Sequence, residues 1–300
     1  MTLSGIGQPA DSPVSRSAMF IVTASAVVSK DPVYAKTFRD PFAELFATAI
    51  SPEAKTVLDS LNDAAARADF IAESEIDMAG LVTHVLYRKT WIEDQVRAAL
   101  AAGMRQVVIF GAGCDTLSLR LGDALEGVTV FEIDRPEIIA FRHRILADHM
   151  DRLSNVHMIE IDFESQTLEA LVDGGFDSER GAVFVAEGVM EYLTVEEVDV
   201  LIGFVTSRAP AGSRLAFTFI AGESLDDGSL DTLKAKLDEG GEPLKFRLDP
   251  ARIDEFLAAR HLRRRDMITP DWVREVFAPR LGAPVDPIAG WYMVAAESTG

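Results

Sequence analysis

The sequence is poor in the residues that disulfide-bonded, metal-binding and nucleic-acid-binding proteins use. Its single cysteine, Cys114, excludes an internal disulfide and fits a reducing compartment. One cysteine and 5 scattered histidines offer no metal-ligand spacing. The 29 basic residues are outnumbered by 48 acidic ones, and the net charge of -19 repels polyanions such as nucleic acid. We therefore expect a protein without a metal and without a nucleic-acid partner.

Long hydrophobic runs are also missing. No run approaches the roughly 20 apolar residues that a membrane helix needs. The stretch AMFIVTASAVV, residues 18–28, has the length of a signal-peptide core, but only Arg16 precedes it as a positive charge, and Asp11 offsets that charge. We expect a cytoplasmic protein that does not associate with a membrane.

The first third of the chain has the pattern of packed helices. Asp40 before Pro41 and Ser51 before Pro52 are typical of helix starts. Further on, VLYRKTWIEDQVRAALAAG spaces its apolar residues by three and four. The sequence thus predicts an N-terminal helical cap over residues 15–103.

Beyond residue 103, short apolar runs alternate with helical segments. Strands are expected at QVVIF, VTVFEI, NVHMIEI, GAVFVAEG and SRLAFTFI, and their continuous hydrophobicity suits parallel strands that are covered on both faces. Such alternation predicts an α/β fold with a doubly wound, mostly parallel sheet. The single domain, residues 1–300, would then consist of the cap, a core at 104–220, a polar, acid-rich insertion at 221–250 that is either a lid or a solvated surface helix, and a C-terminal part of the sheet at 251–300.

The turn in VVIFGAGCDTLSLRL, after the first of these strands, has the form of a ligand-binding loop. Gly111 and Gly113 permit a tight turn and a close approach of a ligand to the backbone. A dinucleotide fingerprint would have a third glycine where Thr116 stands, and a phosphate-binding loop of the Walker type would have a lysine. Asp115 at the start of the next helix would repel a pyrophosphate. The loop favours a cofactor with little negative charge there, although two such glycines also occur in plain strand-to-helix turns.

Acidic residues follow at the ends of the next two strands, where open α/β sheets bind ligands. Glu132 and Asp134 end the second strand about 20 residues after the loop, which suits an acid that accepts hydrogen bonds from both hydroxyls of a ribose. Asp134 is also a candidate cap for the following helix. Asp162 and Phe163 end the third strand and suit an adenine, because the acid can accept from its amino group while the ring packs on its face. The alternative for Asp162 is a plain turn acid.

The fourth strand ends at a further acid. Glu187 and Gly188 directly follow the apolar run AVFVA, where the sheet would open to a ligand. A charged glutamate is costly to bury there, so Glu187 needs either a partner or a function.

Several stretches together resemble one family. In chain order they are VSRSA, DPFA, RKTWIED, FGAGCDTLSLRL, FEIDRPE and AEGVMEYLT, and they span about residues 14–220. They are similar to motifs of the class I S-adenosylmethionine-dependent methyltransferases, in the leucine carboxyl methyltransferase-like branch that includes bacterial O-methyltransferases of polyketides and other small molecules. The set is far more specific than any one of its motifs. The resemblance implies a Rossmann-like methyltransferase core with S-adenosyl-L-methionine as the cofactor.

The resemblance also implies roles for the matching residues. Arg88, with Arg16, would bind the carboxylate of the cofactor's methionine part, which Gly111 and Gly113 would border. The other implied contacts are Asp134 to the ribose, Asp162 with Phe163 to the adenine, Glu187 near the amino group, and Tyr192 toward the transferring methyl or the acceptor. We add Glu132 and Gly188 to the predicted cofactor site because both stand at strand ends.

Three residues depart from the family pattern. Arg16 stands in place of a lysine, and Leu117 stands in place of an arginine; both are compatible with cofactor binding. Glu191 stands in place of an apolar residue next to Tyr192, where it can alter the acceptor side.

Methyl transfer from a sulfonium is a direct displacement, in which the protein aligns an oxygen nucleophile with the methyl group and excludes water. A carboxylate acceptor needs no base, whereas a hydroxyl acceptor needs one or must ionise first. His84, one helical turn before Arg88, is the best candidate for a base, and Tyr192 is the other candidate catalytic residue.

We predict a S-adenosyl-L-methionine-dependent O-methyltransferase that acts on a hydroxyl or carboxyl group of a small molecule, such as a polyketide or another secondary metabolite. A carboxyl methyltransferase acting on a protein C-terminus is the first alternative. A NAD-dependent dehydrogenase is the second, and the missing third glycine, Asp115 and Arg88 count against it.

Overall fold

The computed structural model describes residues 2–9, 11–77, 80–161, 167–222, 234–235, 237–238, 241–288 and 290–300. Its strands are β1 (Gln106–Phe110), β2 (Thr129–Asp134), β3 (Val156–Glu160), β4 (Ala182–Ala186), β5 (Arg214–Ile220), β6 (Leu262–Ile268) and β7 (Trp291–Ser298). Its helices are α1 (Arg16–Lys30), α2 (Ala43–Ile50), α3 (Pro52–Ser60), α4 (Ala64–Asp77), α5 (Leu81–Ala101), α6 (Leu117–Leu121), α7 (Pro136–Ile145), α8 (Glu169–Asp173), α9 (Val195–Arg208), α10 (Ile253–Ala258), α11 (Pro270–Trp272), which runs into a π-helical turn (Val273–Phe277), and α12 (Ala278–Leu281).

The strands form one sheet in the order β3-β2-β1-β4-β5-β7-β6. The first five strands in this order are parallel neighbours, and β7 lies antiparallel between β5 and β6. The chain builds outward from β1 to β3 and then returns to β4, so the strand order reverses between β1 and β4. A crevice for a ligand is expected outside the carboxyl ends of the strands at this point. The predicted α/β fold with a doubly wound, mostly parallel sheet is confirmed.

Both faces of the sheet are covered, which explains the unbroken apolar runs. Val107 and Ile109 of β1 belong to an apolar cluster that includes α1 and α5, whereas Val108 and Phe110 belong to a second cluster that includes α9. Every residue of β1 and β4 is buried. A strand buried on both faces has no polar side to show, so it reads as continuous rather than alternating hydrophobicity.

Side-chain caps begin several of the helices. Ser51 accepts a hydrogen bond from Ala54 N at the start of α3, and Thr194 and Glu197 form a reciprocal capping box on α9. α2 begins at Ala43, two residues later than predicted, and the two oxygens of Asp40 have different partners. One oxygen accepts from the first amides of the helix, and the other accepts from the Thr116 hydroxyl at 2.6 Å. None of the helices in the described residues is both long enough and apolar enough to cross a membrane.

Most of the insertion predicted at 221–250 lies outside the described residues, at positions 223–233, 236 and 239–240. The part that follows, residues 241–248, returns to the sheet and is called the returning segment below. Lys245 N and Phe246 N donate to the backbone carbonyl of Glu191, at 2.7 and 3.2 Å, and Leu248 N donates to Ile220 O at 2.9 Å. The end of the insertion is therefore fastened to the loop after β4 and to the end of β5.

Candidate functional site

A cavity of about 620 Å³ opens at the carboxyl ends of β1, β2 and β4, where the strand order reverses. One part of its wall is the glycine loop after β1, together with residues 134–138 and 187–189. The facing part comes from one side of α1, from Leu81 and Trp291, and from 241–243. Of the predicted site residues, the described structure brings seven to this cavity: Arg88, Gly111, Gly113, Asp134, Glu187, Gly188 and Tyr192.

The glycine loop is shaped by backbone conformations that favour glycine. Gly111 and Gly113 have φ angles of 62° and 45°. A Cβ on Gly111 would lie 2.6 Å from the Cγ2 of Val189, so a side chain is excluded there for steric reasons as well. The loop therefore presents bare backbone to the cavity.

Asp134 holds the glycine loop from the end of β2. Its Oδ2 accepts from Gly113 N at 2.7 Å, and its Oδ1 accepts from Arg135 N at 2.8 Å. Burial raises the pKa of Asp134, although these two hydrogen bonds oppose the shift. Each carboxylate oxygen keeps a further lone pair on the cavity side of the strand end.

Glu132 has a different place, which revises its predicted role. It is 1% exposed and does not line the cavity. Its carboxylate is taken by Arg142, at 2.5 Å, and by the Ser118 hydroxyl, at 2.5 Å. Side chains alternate along a strand, so Glu132 and Asp134 share a face, but the buried Arg142 of α7 reaches Glu132 alone. Glu132 thus supports the fold beside the site, and its placement gives no support to its predicted contact with the cofactor.

Four charged side chains in the cavity wall form a row of salt bridges in which positive and negative charges alternate. Arg88 Nε donates to Glu187 Oε1 at 2.6 Å, and Lys89 Nζ lies 2.9 Å from the same oxygen and 2.7 Å from Asp115 Oδ2. Burial alone would raise the pKa of Asp115, but Lys89 and Arg120 beside it hold that pKa well below its usual range. The second oxygen of Glu187 is buried and has no hydrogen-bond partner within the described residues.

Sequence reasoning missed Lys89. Adjacent residues on a helix project about 100° apart, so a motif read along α5 assigns the cavity to Arg88 and not also to its neighbour. The structure places both side chains at the cavity because the helix passes between the glycine loop and Glu187. The only hint in the sequence is that both residues are cationic in a helix that becomes buried.

Tyr192 lies in the cavity wall near the first turn of α1. Burial raises the pKa of its phenol, so the group stays protonated at neutral pH, and the Ser17 hydroxyl lies beside it. The same hydroxyl donates to Glu242, which also accepts from Arg16 N at 2.7 Å. Ser17 and Glu242 are cavity residues that the sequence did not reveal, since 225 positions separate them.

Two predicted residues lie away from the cavity. His84 is fully buried, with its Nδ1 2.8 Å from the Tyr87 hydroxyl; burial lowers its pKa well below the usual value. Its placement gives no support to its predicted role as a base, since it does not line the cavity. The Arg16 guanidinium lies over the Phe20 ring, 5.4 Å from its centroid, and is not a lining residue either.

The two remaining predicted site residues are Asp162 and Phe163, and the glycine loop also contains Cys114. Asp162 and Phe163 lie outside the described residues, so their contact with adenine stays a prediction. Burial raises the pKa of Cys114 to about 12, so this thiol remains protonated. No group of three or more His, Cys, Asp or Glu side chains in the described ranges could hold a metal ion.

Comparison with known proteins identifies the family. A family model described as leucine carboxyl methyltransferase matches residues 18–206. The chain belongs to the leucine carboxyl methyltransferase family. A Mycobacterium tuberculosis protein, whose name assigns it provisionally to the S-adenosyl-L-methionine-dependent methyltransferases, is 33% identical over 179 residues, which are 59% of this chain and 53% of that protein. A second protein of the same organism with the same assignment is 30% identical over 239 residues, which are 78% of this chain and 76% of that protein.

Solved structures share the fold. A DUF574 family protein from Streptomyces avermitilis superposes with a TM-score of 0.64 at 16% identity, covering 96% of this chain and 99% of the other. A protein from Thermobifida fusca, provisionally named a methyltransferase, gives a TM-score of 0.60 at 15% identity, covering 92% and 94%. The names of both relatives assign them to the S-adenosyl-L-methionine-dependent methyltransferases, and neither name points to a dehydrogenase. The chain spans about half, 53%, of the first relative's own length.

The residues present fit this cofactor. Its amino acid end carries both an ammonium and a carboxylate, and the paired lining residues Glu187 and Arg88 carry the two complementary charges. Its adenosine part carries no phosphate, in keeping with a loop that has Asp115 at its helix end. The absence of side chains at Gly111 and Gly113 leaves the backbone open to close approach.

Proposed function

We propose that this methyltransferase transfers the methyl group to an oxygen, a hydroxyl or a carboxyl, of a small molecule such as a polyketide or another secondary metabolite. One observation carries the proposal. Besides the proposed cofactor residues, the same cavity is lined by α1, Leu81, Trp291 and residues 241–243 of the returning segment. Leu81, Trp291 and the α1 residues Phe20, Ile21 and Val22 give this wall apolar side chains. Hydrogen bonds of Glu242 to the start of α1 join the two segments. A small apolar acceptor suits such a space.

The proposed division of roles follows the placement of the side chains. Arg88 and Glu187 would bind the carboxylate and the ammonium of the cofactor, and Asp134 would accept from its ribose. Gly111, Gly113 and Gly188 would let the cofactor approach the backbone closely. Arg16 and Glu132 are left out because neither lines the cavity.

When bound, the cofactor supplies a methyl group on a positively charged sulfur. The chain's own residues must then orient the acceptor oxygen and keep water out. Tyr192 can donate a hydrogen bond to that oxygen, but as a neutral phenol it cannot remove a proton at neutral pH. An acceptor that is already ionised, such as a carboxylate or an acidic phenol, therefore fits this wall best.

A second candidate is methylation of a protein's C-terminal carboxyl group. The name of the family model, leucine carboxyl methyltransferase, favours it. This reaction would use the same cofactor residues as the first proposal, and only the methyl acceptor would differ. Residues of α1 and Glu242 enclose the cavity, and such an enclosed space suits a small-molecule acceptor better than a protein C-terminus.

The test is a methyl-transfer assay with isotopically labelled S-adenosyl-L-methionine. Small-molecule extracts and protein extracts are offered separately, and S-adenosylhomocysteine, the product of transfer, serves as an inhibitor control. We expect label in the small-molecule fraction. Alkaline treatment then distinguishes the two acceptor groups, because a methyl ester releases methanol and a methyl ether does not. Label confined to protein that is released by alkali would refute the proposal and support the second candidate.

A further inference from the structure

The carboxylate of Glu191 is buried in a turn beneath the cavity and is not used by the proposed chemistry. Glu191 belongs to the 3-10 turn Met190–Tyr192, is 0% exposed and does not line the cavity. Among the described residues no salt bridge neutralises it, and its Oε2 has no hydrogen-bond partner. An apolar residue of similar size would be cheaper to bury at this position. The carboxylate therefore needs an explanation other than packing.

The other oxygen of Glu191 ends a directional hydrogen-bond chain. The Thr218 hydroxyl, at the end of β5, donates to Glu191 Oε1 at 2.7 Å. The same hydroxyl accepts from Gly188 N at 2.7 Å. A hydroxyl has one proton and two lone pairs, so Thr218 can accept from Gly188 while it donates to Glu191. The Glu191 carboxylate favours this orientation of the hydroxyl hydrogen, which keeps a lone pair toward Gly188.

Gly188 links this hydrogen-bond chain to the cavity, because it is a lining residue. Its φ of 67° is left-handed, and a Cβ on it would lie 3.0 Å from Arg88 Nη2. It directly follows Glu187, whose carboxylate binds Arg88 and Lys89. A shift of the Gly188 peptide would therefore move Glu187 relative to Arg88.

Glu191 also connects this turn to the returning segment. Its backbone carbonyl accepts from Lys245 N and Phe246 N. Tyr192, the next residue, lies in the cavity wall. The side chain and the backbone of Glu191 thus connect the Gly188 turn, β5 and the returning segment.

We propose that Glu191 is a positioning residue that acts through Thr218 to hold the Gly188 turn, so that Glu187 and Arg88 meet the amino acid end of the cofactor. The inference rests on the proposed assignment of Glu187 and Arg88 to that end. It predicts that loss of the hydrogen bonds from Glu191 through Thr218 to Gly188 weakens binding of the cofactor's amino acid part. Binding of the cofactor's adenosine part should stay intact.

Two matched pairs of variants test the chain. Glu191→Leu and Thr218→Val remove a link, whereas Glu191→Gln keeps an acceptor oxygen and Thr218→Ser keeps the hydroxyl. Affinities are measured by calorimetry with S-adenosylhomocysteine and with 5′-methylthioadenosine, which keeps the adenosine and the sulfur and lacks the amino acid part. We expect Glu191→Leu and Thr218→Val to weaken S-adenosylhomocysteine binding by about tenfold, the effect of one hydrogen bond worth roughly 1.4 kcal/mol. Binding of 5′-methylthioadenosine should stay at the wild-type value.

The controls separate this role from general stability. Glu191→Gln and Thr218→Ser should restore the affinity for S-adenosylhomocysteine. Equal weakening of both ligands, no weakening of either, or a Glu191→Gln variant as weak as Glu191→Leu would overturn the proposal. If Glu191→Leu does not fold, the Thr218→Val and Thr218→Ser pair decides alone. These measurements need no acceptor, so they are independent of the outcome of the methyl-transfer assay.

Discussion

At the residue scale, one cluster of four charges in the cavity wall is electrically balanced although the chain as a whole is strongly acidic. Arg88 and Lys89 face Glu187 and Asp115, two positive charges against two negative ones, in a chain of net charge -19. Each of these buried charges has an opposite partner, as the cost of desolvation requires. Such a balanced site suits a ligand with both an ammonium and a carboxylate better than a polyanion.

Asp134→Ala should weaken the binding of S-adenosyl-L-methionine by roughly 1–3 kcal/mol, because ribose hydroxyls would lose their acceptor. Calorimetric titration measures the loss, and the exposed Asp123→Ala serves as the control at the end of the neighbouring loop. A folded Asp134→Ala variant with wild-type affinity would leave Asp134 only its hydrogen bonds to Gly113 and Arg135.

The lowered pKa of Asp115 makes its contribution to stability pH-dependent. A carboxylate whose pKa is lower in the folded than in the unfolded state stabilises the fold above its unfolded value, near 3.9, and loses that contribution as the pH falls further. We expect Asp115→Asn to be less stable than the wild type at pH 7, with a difference that narrows as the pH is lowered below about 4. Urea unfolding at several pH values measures the difference. A difference in the free energy of unfolding that stays constant or widens on acidification would contradict the lowered pKa of Asp115.

At the scale of elements, α7 holds the glycine loop from below. Arg142 on this helix is 1% exposed, and its Nη1 donates to the carbonyls of Ala112, Gly113 and Asp115 at 3.2, 2.9 and 2.9 Å. Its other nitrogens bind Glu132 on β2. One guanidinium therefore satisfies the loop carbonyls and connects the loop to the strand beside it.

Arg142→Met should lower the free energy of unfolding by about 3–5 kcal/mol, since it leaves the Glu132 carboxylate buried without its partner. Denaturant unfolding measures the change. The double variant Glu132→Leu with Arg142→Met should recover part of the loss, because no unpaired charge remains, but not the part due to the loop carbonyls. A double variant no more stable than Arg142→Met would show that the pair contributes little.

At the scale of the whole molecule, contacts between distant segments close the cavity. Asp40, before α2, accepts from Thr116 in the glycine loop, and Glu242 accepts from the first amides of α1. The five helices α1 to α5 precede the first strand in the chain, yet α1 and α5 supply part of the cavity wall. The walls of this cavity are therefore complete only when the N-terminal helices and the returning segment are both in place.

Glu242→Ala should make the amide hydrogens of Arg16 and Ser17 exchange about tenfold faster or more, since a hydrogen bond to a charged group contributes about 1.5–3 kcal/mol. Hydrogen exchange followed by nuclear magnetic resonance measures this effect. The amide of Ala18 is an internal control because it donates to the Ser15 hydroxyl instead. Unchanged exchange at Arg16 and Ser17 would mean that Glu242 does not hold α1 in solution.

The sequence by itself determined the features that depend on neighbouring residues. Strands buried on both faces require continuous apolar runs, and the α/β fold with its mostly parallel sheet could be predicted from them. Ser51 and Thr194 cap helices through amides only three residues away, so these starts were also predictable. Gly111 and Gly113 mark a turn whose positive φ angles are a local requirement.

Only the tertiary structure decided which side chains face the cavity. Glu132 and Asp134 are alike in the sequence, but Arg142 binds one and leaves the other at the cavity. His84 and Lys89 lie on the same helix, and the packing around α5 buries the first away from the cavity and brings the second to it. The physical reason is that a side chain's partners are set by elements far away in the chain. A motif records residue types and their spacing, whereas burial, pairing and pKa depend on what the fold places against them.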